Sequence, residues 1–430
     1  MALGGGTFTA QDRILPGTYL NFISATRTGA GLSERGIGAL PIELDFGPED
    51  VFTLDSSDRN FLQDVRRLTG YDWWHERTLP FREFFRMARV GHFYRLGTGG
   101  TKASNAFATA NYPGVRGNDI QIIIEAGEAS GMFFVTTTLG TEDMGTQLVS
   151  TASDLVDNDL VTWDTSATLE LTAGTPLTGG TNGTVTNGDY QAALNRLESY
   201  TFNTIACPSS EDTVKALFAA YTVRMRDEVG AKFQCVVHRY PQADFEGVVS
   251  VENNDTPELV YWAAGALAGC AINQSLTNRP YDCEIEVSVD YTSDELESAI
   301  TGGRFILHKV GEAVHVLMDI NTLTTFTGEK NQDFSSNQVI RVIDQIAIDT
   351  AALFATRYLG IVPNDQAGRM SLWGDLVSNR KDLERLRAIE DFDPEHITVA
   401  AGDVKHSVVV TDRVTPVSAT THLYMTVIVA

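Results

Sequence analysis

Basic residues are scarce in this 430-residue chain: 32 Lys and Arg stand against 56 Asp and Glu, a formal charge of -24. Broad affinity for nucleic acid or an anionic membrane needs clustered cations, so this balance argues against both and leaves charged recognition to local patches. Cysteine is scarce too. Cys207, Cys235, Cys270 and Cys283 are widely spaced and form no C-x-x-C pair, which points to synthesis in a reducing cytosol. Long apolar runs are missing. The most lipid-like stretch, YWAAGALAGCAI from Tyr261 to Ile272, is too short to span a bilayer comfortably and follows the helix-start signal NNDTPE. It reads as a buried helix whose small residues allow close packing. The opening MALGGGTFTAQD carries no basic region ahead of an apolar core, so no signal peptide is expected.

Catalytic signatures are missing as well. The run at Gly179, Gly180 and Gly183 lacks both the Lys-Ser/Thr ending of a P-loop and the spacing of a dinucleotide loop, and reads as a domain junction with tight turns. The eight histidines make no close metal spacing, and no G-x-S-x-G elbow occurs. The aromatic group Tyr71, Trp73, Trp74, Phe81, Phe84 and Phe85 reads as core beside a helix rather than as a ligand groove.

What is present is material for several domains, because a chain of this length exceeds what one hydrophobic core usually supports. Helical spacing at Leu62, Val65 and Leu68 follows the cap candidates Ser56 and Ser57. From about residue 98 to 186 the composition turns to Thr, Gly, Val, Asn and Asp, with short strands such as DIQIIIEA and GMFFVTTTL, which suggests a small β-sandwich or barrel. Its only basic residues are Lys102 and Arg116, as expected of a solvent-facing insertion. Helices and strands then alternate, implying helices packed on a mixed or parallel sheet. GRFILHKVGEAVHVLMDINT reads as two strands around Gly311-Glu312, ahead of a long amphipathic helix near 337–358. The expected class is a mixed α/β, α+β multidomain protein. Its parts are an arm at 1–21, a body segment at 22–97, the insertion at 98–186, an α/β core at 187–358, a C-terminal domain at 359–417 and a second arm at 418–430.

That second arm raises the central question. In THLYMTVIVA, Leu423, Met425, Val427 and Val429 alternate with Tyr424, Thr426 and Ile428, the pattern of a half-buried strand. No Lys, Pro or bulge guards it against unwanted pairing. Either it is stitched into its own chain's sheet or it is meant for another chain. Tyr19, Leu20, Phe22 and Ile23, behind the flexible Gly4, Gly5 and Gly6, have matching strand chemistry. Farther in, Arg380, Lys381, Arg385 and Arg387 lie within two turns, with Lys381 and Arg385 pointing away from a stripe of Leu376, Leu383 and Leu386. This is either a local basic face or a solvated helix balanced by Asp382, Glu384 and Glu390.

Several stretches in order, LPGTYLNF, ANYPGVRGNDIQI, LTGGTNGTVTNGDYQAALNRLESYTFNTIACP, YLGIVPNDQAGRMSLWGDLVSNRKDLERLRAIEDFDP and SVVVTDRVTPVSATTHLYMTVIV, resemble the sheath proteins of contractile phage tails and phage-tail-like bacteriocins. The resemblance spans nearly the whole chain. It implies a structural subunit, not an enzyme, with no cofactor, made in the bacterial cytoplasm and built into a tail particle as stacked hexameric rings. Its implied partners are other copies of itself, a tail tube protein, and baseplate and tail terminator proteins, with no direct nucleic acid contact and no membrane insertion. It further implies contraction without nucleotide hydrolysis and strand exchange by the terminal arms, with Val408, Val409 and Val410 as the receiving strand. Arg380, Lys381, Arg385 and Arg387, on a helix at 376–391, would be an exposed, salt-sensitive tube attachment, and the β-module would face outward. The rival readings are a type VI secretion-like sheath, which divides its sheath over two chains, and a cytosolic α/β enzyme.

Overall fold

The computed structural model of the chain describes residues 32–429. Tyr19, Leu20, Phe22 and Ile23 lie outside them. Within the described residues the α-helices are α1 (Phe61–Thr69), α2 (Leu79–Phe85), α3 (Asn187–Leu197), α4 (Asp212–Arg224), α5 (Leu259–Gly269), α6 (Ser293–Thr301), α7 (Asn337–Leu353) and α8 (Gln366–Arg385).

The core is a seven-stranded sheet in the order Arg304–Phe305, Val248–Val251, Gln234–His238, Thr204–Ala206, Ile37–Glu43, Val90–Leu96 and Val51–Asp55. All neighbours run parallel except the last pair. Parallel strands need crossovers that place helices on both faces, so their residues are buried whichever way they point. The strand alternation shows this. Val236, Val249 and Leu40 pack under α2 and α5 with Phe84 and Trp262, whereas Cys235, Val237, Val248 and Ala39 pack under α3 and α4 with Leu194 and Phe218.

Local sequence sets most of these elements. A reciprocal Thr186–Asp189 capping box starts α3 and a Thr292–Glu295 box starts α6, each satisfying orphan N–H groups of a first turn. α5 is buried along almost its whole length, as its apolar composition requires. Gly265 and Gly269 let it lie against the backbone at the end of α2, because a Cβ at Gly265 would overlap the carbonyl oxygen of Phe84 and one at Gly269 that of Met87. Two expectations need correction at α1. Asn60, not Ser56 or Ser57, is the N-cap, since Asp55 draws the Ser57 N–H into a turn at 2.9 Å, and Leu62 is exposed while Val65 and Leu68 are buried. Among the aromatics, Phe81 and Phe84 are fully buried but Trp74 is exposed, stacked beside Arg82.

The insertion is a β-sandwich. Four strands (Thr172–Pro176, Ile120–Ala126, Phe133–Leu139 and Glu142–Val149) face three (Lys102–Ser104, Ala108–Pro113 and Val161–Trp163). Alternate residues Ile120, Ile122, Ile124 and Val135 meet Ala108, Ala110, Val161 and Trp163 between the sheets. The Gly179–Gly183 run is the seam with the body: Thr101 pairs with Thr181, and Gly183 sits too close to the Gly97 carbonyl for any side chain. Arg116 does not face solvent. Its Nε donates to the Gly70 carbonyl at 3.0 Å and its guanidinium covers the Tyr71 ring, while buried Arg95 donates to the carbonyls of Gly47 and Pro113 at 2.8 and 2.7 Å. These arginines clamp sandwich to body.

Candidate assembly interface

The C-terminal region is built on α7 and α8. A turn of π-helix, Phe354–Tyr358, ends α7, and the Asp365 side chain caps α8 by accepting from Gly368 N–H at 2.7 Å. Two small ladders follow: Ile397–Ala401 with Val408–Asp412, and Ile389–Glu390 with Thr415–Pro416. A two-stranded sheet is marginal by itself. The first is held to α8 by Trp373, whose indole N–H donates to the Ile397 carbonyl at 3.0 Å, and by Arg380, whose Nε lies 2.8 Å from Asp412 Oδ2.

Val408, Val409 and Val410 therefore already have one partner strand, with Val409 opposite Ala400 and Val410 opposite Val399. Their second edge has no partner among the described residues. Val409 and Val410 remain 55% and 37% exposed. Beside this hairpin Phe354, Leu359, Val362, Leu372 and Val408 line a mostly apolar groove of about 280 Å³.

The terminal segment leaves the body at the N-terminal end of α7, the end opposite that groove. Val417 N–H donates to the Ala388 carbonyl at 2.9 Å and Ala419 N–H to Gln338 Oε1 at 3.0 Å. Beyond Ala419 the segment forms no strand among the described residues, and Leu423, Tyr424, Met425, Val427, Ile428 and Val429 are each at least 70% exposed. The strand pattern finds no partner among the described residues. Burying six such side chains is worth about 1.5 kcal/mol or more apiece, so their exposure carries a large free energy available to a second surface.

The expected basic face is only partly there. Arg380 is 2% exposed and is corrected here: besides Asp412 it bonds Asn379 and Thr350. A guanidinium that has lost its water must be paired, and Asp412 lies 32 residues away, beyond any helical spacing rule. Lys381, Arg385 and Arg387 are exposed, and Arg385 pairs with Asp382 on its own helix. Leu386 is 43% exposed rather than part of the apolar stripe, since α8 has ended there. Arg387 follows in the left-handed region at φ 59°. Ala388 N–H reaches back to the Leu383 carbonyl and Arg387 N–H to that of Glu384, a Schellman ending with Arg where Gly is usual.

Sequence reading also missed the charges inside the fold. Arg226 Nη1 lies 2.7 Å from Asp344, and Arg341 Nη2 lies 2.6 Å from Asp319, all four nearly inaccessible. Burial alone would lower the Arg341 guanidinium pKa, but Asp319 beside it holds it above its ordinary value. The polar residues of an amphipathic helix read as a solvated face, and only the helical spacing of Asn337, Arg341 and Asp344 hinted at one side. No group of three or more His, Cys, Asp or Glu among the described residues is placed to hold a metal ion, and no described helix is long and apolar enough to cross a membrane.

Comparison with known proteins covers the same regions. Family models for the phage tail sheath β-sandwich domain, central domain and C-terminal domain match residues 98–182, 183–322 and 329–430. The phage-like element PBSX protein XkdK of Bacillus subtilis is 32% identical, with 99% of each chain covered. The crystal structure of a sheath tail protein from Desulfitobacterium hafniense is similar at 34% identity and TM-score 0.81, covering 93% of this chain and 96% of that one. One from Listeria innocua is similar at 33% identity and TM-score 0.79, covering 90% and 93%.

Proposed function

This chain belongs to the phage tail sheath protein family, a structural family rather than an enzymatic one, and on that premise we propose that it polymerises as stacked hexameric rings around a tail tube. The particle is a phage tail or phage-tail-like particle, with baseplate and tail terminator proteins at its ends. The tube it forms contracts without nucleotide hydrolysis, from a metastable extended state to a wider and shorter one, driving the tail tube through a cell envelope.

One observation carries the reading. An alternating apolar segment, 423–429, lies exposed on the same domain as a two-stranded hairpin whose Val408–Asp412 strand has one edge without a partner among the described residues. Strand addition satisfies both: backbone hydrogen bonds supply affinity and alternate side chains set register. In one copy Leu423, Tyr424, Met425, Thr426, Val427, Ile428 and Val429 form the donated strand, and in its neighbour Val408, Val409 and Val410 receive it. Tyr19, Leu20, Phe22 and Ile23 form the companion arm. Because the contact between rings is head-to-tail and does not close, it builds a helical tube. Neighbours tethered through exchanged arms can stay linked while their bodies rotate during contraction.

Lys381, Arg385 and Arg387 are the tube-facing cations, and the acidic sandwich faces away from the tube. Deleting 423–430 tests the central point. The shortened chain should remain a folded monomer with unchanged thermal unfolding and should form no tubes in negative-stain images. Tubes of ordinary length from that deletion would sink strand exchange by this arm.

A further inference from the structure

The two ends of the described chain meet on one helix. At Leu32 and Ser33 the chain lies against α7: Ser33 N–H donates to Asp349 Oδ1 at 2.8 Å, and Gln345 Nε2 donates to the Ser33 carbonyl at 3.0 Å. At the other end Gln338 Oε1 accepts from Ala419 N–H at 3.0 Å. Gln338, Gln345 and Asp349 stand at i, i+7 and i+11, one stripe of an α-helix about 16 Å long. Between them on that stripe, Val342 packs with Ile389 and Ala388, and Leu32 and Val414 from the two chain ends join the same cluster. All four stripe residues are buried.

The neighbouring stripe of α7 faces the central domain. Asn337, Arg341 and Asp344, at i, i+4 and i+7, bind Gln234, Asp319 and Arg226 respectively, at 2.8, 2.6 and 2.7 Å. α7 is thus bolted to the core on one side and holds both departing segments on the next.

We propose that α7 is the common anchor of both terminal segments, with Gln338 positioning the C-terminal one and Gln345 with Asp349 positioning the N-terminal one, so that load passes between the arms through this helix. The anchoring is a property of the single chain. The load path rests on the assembly reading above.

Backbone hydrogen exchange in the monomer tests the anchoring. Gln338→Met keeps side-chain length but removes the acceptor, and should speed exchange at Ala419 about tenfold while leaving Ser33 unchanged. Gln338→Glu retains an acceptor and should restore protection. Asp349→Leu should free Ser33 and spare Ala419. Gln345→Met, which leaves the Asp349–Asn379 bond intact, is a second variant that should loosen the Ser33 segment. Unchanged exchange at both amides, or equal acceleration along the whole chain in Gln338→Met and Gln345→Met, would overturn the anchor.

For the load path, tubes of the Gln338→Met, Gln345→Met double variant should fall apart at lower urea than wild-type tubes, at an unchanged monomer unfolding midpoint. Equal tube stability overturns that half. Wild-type chain that forms no tubes defeats the assembly reading, and the exchange data then decide the anchor alone.

Discussion

Arg380 Nε lies 2.8 Å from Asp412 Oδ2, so a side chain from the C-terminal half of α8 holds the second strand of the hairpin. Arg380 is 3% and Asp412 17% accessible at the side chain. Together with the Trp373 bond to the Ile397 carbonyl, the pair fastens a marginal two-stranded sheet to α8.

Removing one partner should therefore cost more than removing both. Asp412→Ala leaves a desolvated guanidinium unpaired and should destabilise the chain by about 3 kcal/mol or more, whereas Arg380→Met with Asp412→Ala should cost less. Urea unfolding of the two variants checks this; equal losses would mean that the pair contributes little beyond packing.

Charge reversal at Lys381 and Arg385 should behave in the opposite manner. Both are exposed, and Arg385 only pairs with Asp382 on the surface, so Lys381→Glu with Arg385→Glu should change stability by less than about 0.5–1 kcal/mol. Attachment to the tail tube should weaken, most clearly at low salt where charges are least screened. Tube-bound and free sheath separated by sedimentation across a salt series would show it, and unchanged binding at low salt would count against this face.

Gly265→Ala should be among the most damaging small changes in the core. The added methyl overlaps the Phe84 carbonyl oxygen, which is backbone and has little room to yield. A loss of about 2–4 kcal/mol is expected, read as a lowered midpoint in thermal or urea unfolding.

Acid sensitivity should trace in part to Asp244. Burial pushes its carboxyl up, but hydrogen bonds from Thr325 and Thr324 outweigh burial and bring it down to about 2. A carboxyl lowered on folding contributes stability that is present above its unfolded value near 4 and lost as pH falls toward 2. Asp244→Asn should flatten the stability–pH curve in that window. The backbone there is left-handed, φ 44°, which Asn tolerates well, so strain should not obscure the result.

The sequence by itself determined the elements whose cause is local. Short apolar strands such as DIQIIIEA and GMFFVTTTL placed the β-rich insertion, the small apolar run 261–272 placed a buried helix, Gly311 at φ 63° marked the turn of the hairpin, and the Thr186–Asp189 box started α3. Periodicity also marked 423–429 as strand chemistry. The tertiary structure alone decided which polar groups are buried and which apolar ones are left out. Arg380 reads as a surface cation until Asp412 arrives beside it, and Gln338, Gln345 and Asp349 read as a wet helix face until both chain ends lie across them. Such pairings are set by contacts between residues tens to hundreds of positions apart, which no helical or strand period encodes. By the same logic the pattern in 423–429 carries strand chemistry, but only the folded body decided that these side chains stay exposed, with no strand partner among the described residues.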